Sequence, residues 1–304
     1  MTTAVGPARL TRRVALGYAA VAFAACSWGT WPLILRSAER IAPISPALES
    51  TILMVVIFFA TGPIVLRERA ARLVPGRRAI GIEWLGMAWL GVGDALNDYF
   101  FFGAYQKTSV AVAVLTHYLA PLFVALGAPL VQERPSRRTY AAVFVAFSGL
   151  VLLLQPWSVP EHGVAVGAAF GAASAVFYAS NVLVNKRLSH AFSASGLMFF
   201  HCFTAVPLLA AMVPRAEWHA SDPRAASVVA LGSLGPGALA GLAFVWGLHR
   251  VPASHAGALT LLEPLVAMLL GAVFYGEAVG AVGALGAAMI LLGAIAVVLR
   301  PPRP

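Results

Sequence analysis

Apolar residues run along this chain in ten blocks, near 16–35, 47–66, 83–103, 109–131, 138–155, 163–184, 194–213, 225–247, 254–275 and 277–299. Each is close to the ~20 residues that a bilayer-spanning helix needs. Short polar breaks bearing proline, glycine or arginine separate them. The pattern predicts an all-α integral membrane protein with ten transmembrane helices.

Within this pattern one series of marks occurs twice. Pro121, Glu133 and Gly149 are spaced by 12 and 16 residues, and Pro264, Glu277 and Gly293 by 13 and 16. The midpoint is a polar, proline-bearing stretch, 156–162, with five blocks on either side. Residues 1–155 and 163–304 are therefore read as two five-helix repeats. An odd number of spans per half makes the second copy enter the membrane the opposite way, so the repeat is inverted. Such repeats place a substrate site near the midplane, between halves that move against each other.

Composition agrees with a lipid setting: 60% of residues are hydrophobic and 11% charged, against about 25% charged in ordinary soluble domains. The net charge of +9 could suggest nucleic acid, but its distribution is topological. Taking alternate connections from the N-terminus gives 16 Lys and Arg, including the cluster Arg67, Arg69, Arg72, Arg77 and Arg78; the other set gives 5. The positive-inside rule puts both termini in the cytoplasm of a multi-pass inner (plasma) membrane protein. A nucleic-acid partner is not expected; membrane lipid and a small-molecule substrate are. The apolar run after Arg13 continues through Trp28 and Trp31, so it reads as an uncleaved first helix rather than a signal peptide. Cys26 and Cys202 have no CxxC spacing, and nothing calls for a metal or cofactor. The oligomeric state is not encoded, and a monomer is compatible.

Polar residues inside the blocks are the candidate chemistry, because a charge at mid-bilayer is costly without a partner or water. In the third block Asp94, Asn97, Asp98, Phe101 and Tyr105 recur at helical spacing and form one polar, aromatic face, with Tyr99 beside it. In the sixth, Ser174, Tyr178, Asn181 and Asn185 form another. Trp28 and Trp31 lie one turn apart in the first. The candidate substrate contacts are Trp28, Trp31, Asp94, Asn97, Asp98, Tyr99, His117, Tyr118, Tyr178, Asn181 and Glu263, suited to a neutral or zwitterionic organic molecule; interhelical packing is the alternative for each. His117, His201, His255 and Glu263 are candidate proton carriers. Pro121 and Pro264 should free the carbonyls of His117 and Thr260, giving kinks that serve as gates or as static bends. Glu133 and Glu277 are expected to cap the fifth and tenth helices. Gly280, Gly283 and Gly286 are expected at a close helix contact. Gly91-Val92-Gly93-Asp94 also matches the GxGD of intramembrane aspartyl proteases. A membrane-embedded enzyme is thus the competing class, although such chemistry needs a second carboxylate from another helix.

The run from Ala253 to Pro264, followed by Gly276-Glu277 and Gly293, resembles the second repeat of the EamA-type drug/metabolite transporters. Leu115-Thr116-His117-Tyr118-Leu119-Ala120-Pro121 with Gln132-Glu133 resembles the first. The segment Tyr118-Leu119-Ala120-Pro121 is also similar to the Tyr-Leu-Trp-Pro of aromatic amino acid exporters, with Ala120 in place of Trp. The resemblance implies ten helices, no catalytic residues, and efflux of small metabolites such as amino acids.

Overall fold

The computed structural model describes residues 7–71, 80–158 and 164–299. Arg72, Arg77, Arg78, Arg300, Arg303 and linker residues 159–162 lie outside them. Among the described residues the chain forms helices and no strands. In order the long helices are α1 (Arg12–Glu39), α2 (Pro46–Ala70), α3 (Gly81–Tyr105), α4 (Val110–Val131), α5 (Arg137–Ser158), α6 (Val164–Leu188), α7 (Ala194–Met212), α8 (Pro223–Leu248), α9 (Ala253–Tyr275) and α10 (Ala281–Val298). Nine of them are long and apolar enough to cross a membrane. The exception is α3. Its 25 residues span about 38 Å at 1.5 Å per residue, but Asp94, Asn97 and Asp98 dilute its apolarity.

Helix starts follow local chemistry. Ser45, Ser109, Ser136 and Ser193 each accept a backbone N–H from the first turn of the helix that follows, at 3.1–3.3 Å. Each thereby satisfies an otherwise orphaned donor. Helical geometry is interrupted inside six of the long helices, in α5 at Gln155 and in α7 at His201. In α1 the break is at Gly29-Thr30; in α4 it is at Tyr118-Leu119, and in α9 at Leu261. These last two fall two to three residues before Pro121 and Pro264, where the missing N–H weakens the ladder. In α8 a π-helical turn at Ser233–Leu239 surrounds Pro236, a feature the apolar pattern does not reveal.

Small residues set the closest helix contacts. Most intimate is α5 on α10: a Cβ on Gly149 would lie 2.6 Å from the Gly286 carbonyl oxygen, and one on Gly293 2.7 Å from that of Ala142. The glycine marks of the repeated series are thus sites of close backbone approach. Of the three glycines expected to pack, only Gly286 is pressed against a neighbouring helix. Gly280 precedes α10 with open space around its Cα, and Gly283 has ordinary clearance. The outward faces carry exposed apolar side chains such as Phe59, Leu130, Leu231, Val273 and Leu292, a surface that only lipid or another apolar face satisfies.

Glu133 and Glu277 do not cap the helices that follow them. Ser136 caps α5, and α10 begins after Gly280 with no side-chain cap. The residue before each glutamate turns left-handed instead, Gln132 at φ 63° and Gly276 at φ 67°. That turn closes the preceding helix and sends each carboxylate across to another element.

Candidate functional site

A cavity of about 330 Å³ lies in the middle of the bundle, walled by residues of α1, α2, α3, α6, α7 and α8, with His117 of α4 and Glu263 of α9 at its edge. It contains nine of the eleven candidate contacts, Trp28, Trp31, Asp94, Asn97, Asp98, His117, Tyr178, Asn181 and Glu263, together with Phe101, Asn185 and His201. Two others fall elsewhere. Tyr99, one residue on from Asp98, is carried about 100° round the helix; it is 52% exposed and borders a separate depression beside Phe170. Tyr118 is buried behind the wall, where it hydrogen-bonds Glu263. Pro121 is buried against Gly257, and Pro264 is also buried.

Hydrogen bonds tie the α3 stripe to α4, α6 and α7. Asp94 accepts from Asn181 Nδ2 at 2.7 Å and faces His201 Nε2 at 3.3 Å. His201 Nδ1 donates to the Leu197 carbonyl, 2.9 Å away, so a hydrogen bond between Nε2 and Asp94 takes one further proton, carried by either partner. Further along the stripe a directed chain forms. Ser174 Oγ donates to Asn97 Oδ1 at 2.8 Å, so it must accept from His117 Nδ1, also at 2.8 Å. Asn97 Nδ2 then donates to Asp98 Oδ1 at 3.2 Å. Ser50 of α2 bonds Asp98 as well.

Sequence reasoning missed Glu49 and Ser50, both in the cavity wall and both buried. Glu49 lies in the first turn of its helix and so resembles any macrodipole-stabilising acid. Its position as a carboxylate just inside an apolar block was the available signal. Pro236 and Gly237, displayed by the π-turn, also line the cavity; π-turns are frequent at functional sites. His255 does not line it. That ring is held between Tyr18 Oη at 2.6 Å and Thr139 Oγ1 at 3.3 Å, a packing role.

Two ion pairs join distant parts of the chain. Lys186 Nζ lies 3.3 Å from Glu133 Oε1, with both side chains largely buried. The same ammonium donates to the carbonyls of Leu248 and Val251 at 2.8 and 2.6 Å, and Glu133 Oε2 accepts the Ala253 N–H at 2.7 Å. A cation thus sits at the C-terminus of α8 and an anion at the N-terminus of α9, both complementing the helix dipoles. At the other junction Arg36 donates to Glu277 Oε1 at 3.0 and 3.1 Å and covers the Tyr275 ring at 4.2 Å. That pair is about half exposed. Arg36 precedes Lys186 by 150 residues, and Glu133 precedes Glu277 by 144.

The family match decides the class: the EamA-like transporter family covers residues 15–155 and 165–299. The chain belongs to this family. An uncharacterized transporter of Archaeoglobus fulgidus is 28% identical over 280 residues, 92% of this chain and 95% of that protein. The threonine/homoserine exporter RhtA of Salmonella typhimurium is 26% identical over 226 residues, 72% of this chain and 74% of RhtA. A solved structure described only as "Crystal structure of protein" superposes with a TM-score of 0.73 at 24% identity, covering 95% of this chain and 98% of its own; that likeness is one of fold. The chain is therefore an all-α, multi-pass membrane transporter, and its family is one of transporters rather than enzymes. Packing accounts for the glycines of Gly91-Val92-Gly93-Asp94. A Cβ on Gly91 would lie 2.5 Å from the His201 carbonyl oxygen, and one on Gly93 2.8 Å from Asn181 Cγ.

Proposed function

We propose that this EamA protein exports small organic metabolites, amino acids or molecules like them, by alternating access between two inverted five-helix halves, residues 1–155 and 163–304. In this reading α3 is the tenth span, both termini are cytoplasmic, and the protein resides in the inner membrane. The partners are a small-molecule substrate and lipid. The observation that carries the reading is the central cavity together with its two unlike ends. Lys186 and Glu133 seal one junction inside a buried network, while Arg36 and Glu277 meet in the open at the other. An inverted repeat gives each end a counterpart of the other, and exchanging which pair is buried would expose the cavity to the opposite side. RhtA, as a threonine/homoserine exporter, supports amino acids as cargo and outward flux.

The test is counterflow in proteoliposomes loaded with threonine, homoserine or another single amino acid, with labelled solute outside. Protein-dependent exchange of at least one member supports the proposal. Absence of exchange across a broad panel of amino acids and small metabolites would refute it.

A further inference from the structure

Among the described residues the acidic and imidazole side chains that line the cavity are Glu49, Asp94, Asp98 and Glu263, with His117 and His201; no lysine or arginine is among them. Two cations that flank lining helices are committed elsewhere, Lys186 to Glu133 and two carbonyls, and Arg36 to Glu277. Asp94 faces His201, a side chain able to carry a positive charge. Asp98 has no such balance: the chain from His117 through Ser174 and Asn97 ends on it with every donor pointing its way. Donors directed at a carboxylate favour its ionised form. An anion withdrawn from water needs a countercharge, and among the described residues no lysine or arginine of the lining supplies it.

We infer that the cavity takes an organic cation, a protonated amine carried on an apolar or aromatic body, with the ammonium at Asp98 and Glu49 beside it. This deepens the transporter reading and rests on it. Aromatic surfaces are in place for the body: Trp28 packs on Phe244 at 5.1 Å between ring centroids, and Phe101 and Tyr178 flank the His117 ring at 4.4 and 5.5 Å. Such rings also favour a cation over a neutral group. The carboxylate of a zwitterion would meet several acids and no Lys or Arg, so it lowers affinity, and a bare carboxylate lowers it further. Selection by charge follows from repulsion of the wrong ligand as much as attraction of the right one.

The experiment is equilibrium binding to the full chain in lipid nanodiscs, with empty nanodiscs as control. Two sets of probes share an apolar side chain and differ in the charged groups it carries: phenethylamine, phenylalanine and 3-phenylpropanoate; butylamine, norvaline and pentanoate. In at least one set the amine should bind about tenfold or more tightly than its amino acid, a difference of ~1.4 kcal/mol, with the acid weakest. Asp98→Asn should remove that preference and Asp98→Glu should retain it; Glu49→Gln should weaken the amine selectively. The inference is overturned if neither amine binds, if an amino acid or acid binds as tightly as its amine, or if the amine's affinity is unchanged in Asp98→Asn. Should Asp98→Asn not fold, an unchanged amine affinity in Glu49→Gln overturns it equally. Counterflow of an amino acid alongside absent amine binding would sink the charge assignment and leave the transporter reading standing.

Discussion

Lys186 and Glu133 approach to 3.3 Å at the junction of α8 and α9, although neither belongs to those helices. Each also bonds the backbone there, so one ion pair from α6 and the α4–α5 turn fastens the end of α8 to the start of α9. Removing one partner strands the other in a largely buried place.

Stability should therefore respond unequally at the two junctions. Glu133→Gln is expected to cost on the order of 2 kcal/mol, and Arg36→Gln less than about 1 kcal/mol because its pair is solvent-screened. Thermal unfolding of the purified variants, compared with Lys186→Met and the Lys186→Met/Glu133→Gln double mutant, measures both the loss and the coupling. Equal effects at the two ends would contradict the assignment of the buried pair as the tighter one.

The contact of α5 with α10 depends on bare backbone. Gly286→Leu should leave little folded protein in the membrane, since even a Cβ would meet Leu153 N at 2.6 Å. Gly280→Ala, with open space around it, should change stability by less than about 0.5 kcal/mol. Size-exclusion profiles and melting temperatures of the two variants test the difference.

The donor chain to Asp98 predicts a graded series in transport. Ser174→Ala removes the middle link and should slow counterflow roughly tenfold, the equivalent of about 1.4 kcal/mol. Asn97→Leu and Asp98→Asn should impair it further while the protein stays folded. Normal counterflow in all three would reassign the stripe to helix packing.

Topology is testable in intact cells. With Cys26 and Cys202 replaced, Arg40→Cys should react with an impermeant thiol reagent from outside, and Arg69→Cys only after the membrane is broken. The reverse would invert the orientation given by the basic loops.

Much of this was written in the sequence because lipid imposes simple rules. Apolar blocks placed the long helices. The polar faces of α3 and α6 met in the cavity because helical spacing alone fixes which residues share a face. What stayed hidden depended on partners distant in the chain. Glu133 and Glu277 read as caps of their own helices, yet the left-handed turns at Gln132 and Gly276 direct them to Lys186 and Arg36. Glu49 looked like a first-turn acid because nothing local says that Ser50 reaches Asp98. Tyr99 was drawn in by its neighbours although its own angle on the helix turns it outward. The π-turn at Pro236 leaves no mark in hydropathy, since it changes hydrogen-bond register rather than polarity.

The claim that the two junctions open in alternation is tested most directly by locking each in turn. In a cysteine-free background, the pairs Lys186→Cys/Glu133→Cys and Arg36→Cys/Glu277→Cys would be oxidised in proteoliposomes, and counterflow of the solute found to exchange would be followed before and after reduction. Alternating access predicts that either disulfide stops counterflow and that reduction restores it. Counterflow that continues with either pair fully bridged would contradict it.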